Sequence, residues 1–234
     1  VNCVRIDLHK SISPRIEGLT MNESYEKFMD EWSNEEHHKD QSFIRDGIID
    51  PVRWDRTDLK VMFLLKEAYD KRKRPEGFDL REIVREKWKK PKNKTWRSLS
   101  AWAYICHHAK DAKSLLSKIF SEQQFEVLRS CAIVNLKKSR GVSESKMDDI
   151  IEHTLRDKQR LLDQIALINP KIIVCGGTMS AVEKLYSDED IEAPYENVWK
   201  IQDRYFVKFK HPAGRFSSLM NYSLGFLLLK SGAV

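Results

Sequence analysis

The sequence predicts an α/β fold, a three-layer α/β/α sandwich around a central, mostly parallel sheet of four strands. Three observations carry this expectation. Short apolar runs of strand length recur four times along the chain, segments of helical spacing separate them, and Asn, Pro or Gly-Gly punctuate their ends. Strands that alternate with helices favour a sheet covered on both faces. A chain of 234 residues suffices for one such domain. We expect residues 51–234 to form it, with residues 1–50 as an N-terminal helical extension packed upon it.

The elements follow in order. A helix is expected around residues 25–32, ahead of the acidic stretch 30–40. Residues 59–65 (Leu-Lys-Val-Met-Phe-Leu-Leu) read as a buried first strand, and 96–108 as a helix. Residues 131–136 form the second strand. One long helix spans 147–168, since Ile151, Leu155, Leu162 and Ile165 recur at helical spacing, and Pro170 stops it. The third strand, 171–175, closes on Gly176-Gly177, and a helix over 178–186 follows. The fourth strand covers 205–210, and a last helix runs from about 217 to 229.

Composition narrows the classes. Apolar residues make up 41% of the chain and charged ones 32%, as in a water-soluble globule. Residues 1–10 mix charge with apolar side chains, so no secretion signal is expected, and no apolar run is long enough to span a membrane. Cys3, Cys106, Cys131 and Cys175 are scattered and form no CxxC pair, as expected of reduced thiols in the cytoplasm. The pairs His37-His38 and His107-His108 lack the i, i+4 face of a metal site, because adjacent helical residues point about 100° apart. No metal site or cofactor is therefore expected.

Charge is uneven. Of the net +6, residues 71–97 carry a local +8, from twelve Lys or Arg against four acids. Lys89, Lys90 and Lys92 lie in that run, interleaved with Phe78, Trp88 and Trp96. Such a stretch faces a polyanion or is a solvated loop; charge alone leaves both open.

In a parallel sheet the ligand site gathers at the carboxyl ends of the strands. The residues standing there are Lys66-Glu67-Ala68-Tyr69-Asp70, Asn135 with Lys137-Lys138-Ser139-Arg140-Gly141, Gly176-Gly177-Thr178, and His211-Pro212-Ala213-Gly214-Arg215. A carboxylate, an amide, a glycine turn and a histidine would share one rim. Asn135 is a base-edge reader or a turn residue. Gly177 makes a tight turn or offers its N–H to a phosphate.

The order of these motifs, together with Ile-Asn-Pro-Lys-Ile-Ile-Val-Cys-Gly-Gly at 168–177, resembles the uracil-DNA glycosylase superfamily. The resemblance runs from about residue 58 to 229. It implies a monofunctional DNA glycosylase acting on an extruded uracil-like or modified base, in repair or in defence against modified phage DNA. Glu67 and His211 would be catalytic, with Asp70 as second carboxylate. Asn135, Tyr69 and Ala68 would bind the base. Lys66, Lys137, Arg140, Gly177, Arg215, Phe216, Lys89, Lys90 and Lys92 would hold DNA. Phe216 enters the duplex as a wedge or starts the last helix as core. Lys66 and Tyr69 depart from the Gly and Pro of the family's first motif, which puts uracil itself in question. The cysteine spacing does not match the iron–sulfur cluster of some branches. The expected protein is a monomer with DNA as partner. A catalytically silent DNA-binding module and an enzyme of free nucleotides are the two alternatives.

Overall fold

The computed structural model describes residues 20–39, 41–71, 74–86, 93–111, 122–142, 144–214 and 218–234. Helix α1 (Met21–Ser33) starts at a reciprocal cap, in which Thr20 Oγ1 accepts from the Glu23 backbone N–H and Glu23 Oε2 accepts from that of Thr20. Its apolar face, with Phe28, Met29 and Trp32, is buried. A 3₁₀ turn (Glu36–His38) and two-residue strands β1 (Ile44–Arg45) and β2 (Gly47–Ile48) follow. Helix α2 (Pro51–Arg56) has Pro51 in its first turn and Asp50 as its cap. Then come β3 (Val61–Leu65), β4 (Phe78–Asp79), α3 (Leu80–Glu86), α4 (Lys94–His108), α5 (Glu122–Leu128) and β5 (Ala132–Asn135). The chain continues through α6 (Met147–Arg156), α7 (Lys158–Ile168), β6 (Ile172–Gly176) and α8 (Met179–Leu185). It ends with β7 (Ile191–Tyr195), β8 (Val198–Ile201), β9 (Arg204–Phe209) and α9 (Ser218–Ser231).

The main sheet has seven strands in the order β2-β5-β3-β6-β9-β8-β7. The four expected strands are its adjacent centre, β5-β3-β6-β9, and pair in parallel. The expectation of a four-stranded, mostly parallel sheet is nevertheless corrected: three further strands join antiparallel, so the sheet is mixed. The missed strands have physical reasons. β2 is two residues long, and β7 (Ile-Glu-Ala-Pro-Tyr) is a short, exposed edge strand interrupted by Pro194. The β7–β8 and β8–β9 turns place Asn197 and Gln202 at positive φ, as tight hairpin turns require. β1 and β4 form a separate parallel pair.

Alternation along the central strands sends side chains to two cores. Met62, Leu64, Ile173 and Cys175 pack with α1, α6, α7 and α8 on one face. Val61, Phe63, Ile172 and Val174 pack with α3, α4, α5 and α9 on the other. Each such fully buried aliphatic or aromatic side chain contributes about 1.5–3 kcal/mol. Trp102 and Tyr104 on α4 are core residues, and Trp102 Nε1 donates to Asn221 Oδ1 at 3.0 Å. Residues 20–50 supply α1 to the first core and β2 to the sheet edge, so they share the domain's core. The single long helix expected over 147–168 is two: Asp157 (φ −96°, ψ 18°) breaks it, drawn into contact with His37 and His38. Asn169, in the left-handed region, ends α7 ahead of Pro170.

Candidate active site

Because the four central strands are parallel, their carboxyl ends lie along one edge of the sheet. A cleft of about 480 Å³ opens there, within the range of small-ligand sites. Glu67, Ala68, Tyr69, Asn135 and His211 all line it. Five of the residues expected from sequence thus come together, from the segments after β3, β5 and β9.

Glu67 is held from several sides. Its Oε1 accepts from the Val142 N–H (3.1 Å) and from Ser145 Oγ (2.6 Å). Its Oε2 stands 3.1 Å from Lys137 Nζ, an ion pair without hydrogen-bond alignment. The Glu67 side chain is only 2% exposed. Gly141 makes room for it: a Cβ there would lie 2.5 Å from Glu67 Cγ. An isolated bridge between Tyr69 and Gly141, with the Gly141 N–H donating to Ala68 O, zips the two loops together. Tyr69 is 60% exposed and forms the outer wall.

Asn135 ends β5 and is buried at the cleft floor. Its backbone N–H and its Nδ2 donate to Asp46 Oδ2, at 2.7 and 3.1 Å. A carboxylate only accepts, so this contact fixes which way the amide points. Asp46 is itself fully buried; its Oδ1 accepts from Lys138 Nζ (2.7 Å) and Gln164 Nε2 (2.9 Å). Gln164 Nε2 also donates to Tyr25 Oη, which donates to Asp46 O. The buried charges of Asp46 and Lys138 are therefore paired and hydrogen-bonded, which offsets part of their desolvation. Burial pulls Lys138 below the usual lysine value, against the opposing effect of Asp46.

His211 follows β9. Burial, and then the positive charge of Lys66, lower its pKa. Its Nδ1 accepts from the Ala213 N–H at 3.3 Å, which assigns the proton of the neutral ring to Nε2. Gly176 and Gly177 admit this loop. A Cβ on Gly176 would meet Leu65 at 2.7 Å and Pro212 at 3.3 Å, and one on Gly177 would meet His211 Cβ at 3.3 Å. The glycine pair is thus a seat for the histidine.

Several expected roles are corrected. The Gly177 N–H donates to Cys175 O and Phe209 O, so it has no N–H left for a phosphate. Asp70 is buried outside the cleft lining, and its carboxylate accepts from Arg74 N, Nε and Nη2 at 2.9–3.1 Å. It is a turn residue, and the cleft-lining member of the pair is Arg74, stacked on Phe78. Lys137 is spent between Glu67 and Asp149 Oδ2 (2.7 Å); burial lowers its pKa, but Asp149 and Glu67 together raise it by more, and the net shift is upward. It serves the carboxylate rather than a phosphate. Arg140 is half-exposed on the loop after β5, and Lys66 is half-exposed after β3. Lys89, Lys90, Lys92, Arg215 and Phe216 lie outside the described residues.

Sequence reading missed Asp46 and Ser145, and gave Lys138 and Arg74 no role of their own. Asp46 and Lys138 are surface-type residues by composition, and only their burial reveals them. Among the described residues no helix is long and apolar enough to cross a membrane. No protein-family model and no curated protein matches the chain.

Proposed function

We propose that the chain is a DNA glycosylase of the uracil-DNA glycosylase type, hydrolysing the N-glycosidic bond of a base extruded from DNA. The observation that carries this reading is the meeting of Glu67, Asn135 and His211 in one cleft. Breaking the C1′–N bond leaves positive charge on the sugar and the bonding electron pair on the base. Glu67, pinned by Ser145 and Val142, faces the sugar, stabilises that charge and orients the water that adds to C1′. His211, neutral with its proton on Nε2, donates to the departing base and stabilises its anion. Asn135 presents Oδ1 as acceptor and its second Nδ2 hydrogen as donor to the base edge. DNA is the partner; Arg140, Lys66 and the basic run 71–97 supply phosphate contacts. The reading as an enzyme of free nucleotides is weakened, because the Gly177 N–H of its phosphate turn is engaged. The silent-module reading rested on Lys66, whose charge instead favours the neutral form of His211.

The test is a screen of base release from single- and double-stranded oligonucleotides that are unmodified, uracil-containing or carry phage-type modified bases. Release from at least one substrate is expected, with Glu67→Gln and His211→Ala each slowing it by about 100-fold or more. Tight DNA binding without release would leave the silent module. Release from nucleotides but not DNA would leave the third reading.

A further inference from the structure

Away from the cleft, the described residues hold one group of three metal-ligating side chains, His37, His38 and Asp157. The histidines sit on the 3₁₀ turn after α1, and Asp157 sits at the break between α6 and α7. His37 Nε2 and His38 Nε2 lie 2.8 and 3.4 Å from the same oxygen, Asp157 Oδ1. Neighbouring residues on a helical turn point apart, yet these two rings lie 4.2 Å apart with both Nε2 atoms at Asp157 Oδ1.

His38 supplies a second observation. Its side chain is completely buried, with Trp32 and Phe43 packed edge-on around it. Neither ring nitrogen makes a hydrogen bond, because the 3.4 Å approach to Asp157 lacks the alignment for one. An unsatisfied buried polar group costs about 1–3 kcal/mol, and the His37–Asp157 hydrogen bond does nothing to relieve it. The carboxylate is meanwhile aimed inward. Arg156 grips the carboxylate from outside, Nη2 donating to Asp157 Oδ2 at 3.0 Å and Nε more weakly to Oδ1 at 3.4 Å, as outer partners of a metal ligand do.

We propose that His37, His38 and Asp157 form a structural site for a divalent ion of the zinc class, fastening the segment after α1 to the break between α6 and α7. Two imidazole nitrogens and a carboxylate oxygen are a zinc donor set. Bonds of about 2.0–2.2 Å set neighbouring donors roughly 3.4 Å apart in a tetrahedron. Two of the three donor separations are 2.8 and 3.4 Å, and all three donor atoms lie within 4.8 Å of one another. The fourth position opens on the half-exposed side of His37, where Glu35 Oε2 stands 3.7 Å from its Nε2. The site explains why the long helix breaks at Asp157 and why an imidazole with no hydrogen bond is buried.

The experiment uses the untagged full chain, stripped with a chelator and titrated with zinc by calorimetry. Metal content and the absorption of the cobalt form are read alongside. One equivalent should bind with the visible bands of a four-coordinate cobalt site, and zinc should raise the melting temperature. His38→Ala and Asp157→Asn should each weaken binding by about 100-fold or more, since loss of an outer partner alone can cost up to that. His37→Ala, on the half-exposed side, gives the same reading in a variant with the core intact. Zinc binding that is absent, or equally tight in all three variants, would overturn the site.

Discussion

Replacing Gly141 by alanine would press on Glu67 without altering its chemistry. The new methyl carbon would lie 2.5 Å from Glu67 Cγ, 2.6 Å from Cδ and 2.9 Å from Oε1, where ordinary contacts begin at 3.4 Å. The side chain must therefore withdraw by about 1 Å, a displacement that can cost on the order of 100-fold in rate when it moves a reacting group. Ser145, Val142 and Lys137 resist that withdrawal. Hydrogen bonds to a charged group contribute roughly 1.5–3 kcal/mol each, so the variant should also lose about 1–3 kcal/mol of stability. The assay is single-turnover base release from the best oligonucleotide of the screen, run as a double-mutant cycle with Glu67→Ala. Gly141→Ala alone should slow release about 100-fold. On the Glu67→Ala background it should cost almost nothing more, because the atoms it strikes are gone. Near-normal release by Gly141→Ala, or the same 100-fold loss on both backgrounds, would refute the assignment of Glu67.

Lys138→Met strips the buried carboxylate of Asp46 of its counter-charge and should destabilise the fold by about 3–5 kcal/mol in urea titrations; a loss under 1 kcal/mol would mean that the pair is solvated. Stability should also fall in mild acid. Burial, aided by His108, lowers His107 to about 4 from an ordinary 6.5. The unfolded chain thus takes up the proton first, and the contribution, complete above about pH 6.5, is lost as the pH drops towards 4. His107→Gln should flatten that part of the pH–stability curve, and an unchanged slope would contradict the burial argument. Replacing Lys89, Lys90 and Lys92 by Ala should reduce the salt dependence of DNA binding by roughly one unit of slope for every phosphate no longer neutralised, whereas an unaltered slope would make the run a solvated loop.

The sheet's centre was legible because β3, β5 and β6 are buried apolar runs and β9 holds the run Tyr205-Phe206-Val207, and continuous apolar runs survive any topology. The flanking strands were not, because β7 is a short, exposed edge strand holding Pro194 and β2 is too short to carry a pattern. Glu67, Asn135 and His211 were found by their places after strands. Their supports were hidden: nothing local distinguishes Asp46 from any other exposed-type aspartate. Gly176-Gly177 was noticed, but a glycine that admits a side chain and one that admits a phosphate look the same in sequence.

The carboxylate of Asp46 reaches Asn135, Lys138 and Gln164 across 89, 92 and 118 residues of chain. Closing loops of that length is entropically slow relative to forming a helix. On a ribosome, Asp46 emerges long before any of its partners, and the amide at the cleft floor acquires its orientation only once α7 has been made and docked. Each contact also spans separate elements, so none can form in a fragment. On the proposed function, a nascent or partly unfolded chain would carry its basic stretch but lack the aligned amide meant for a base. Recognition would be the last property the chain gains on folding and the first it loses on opening.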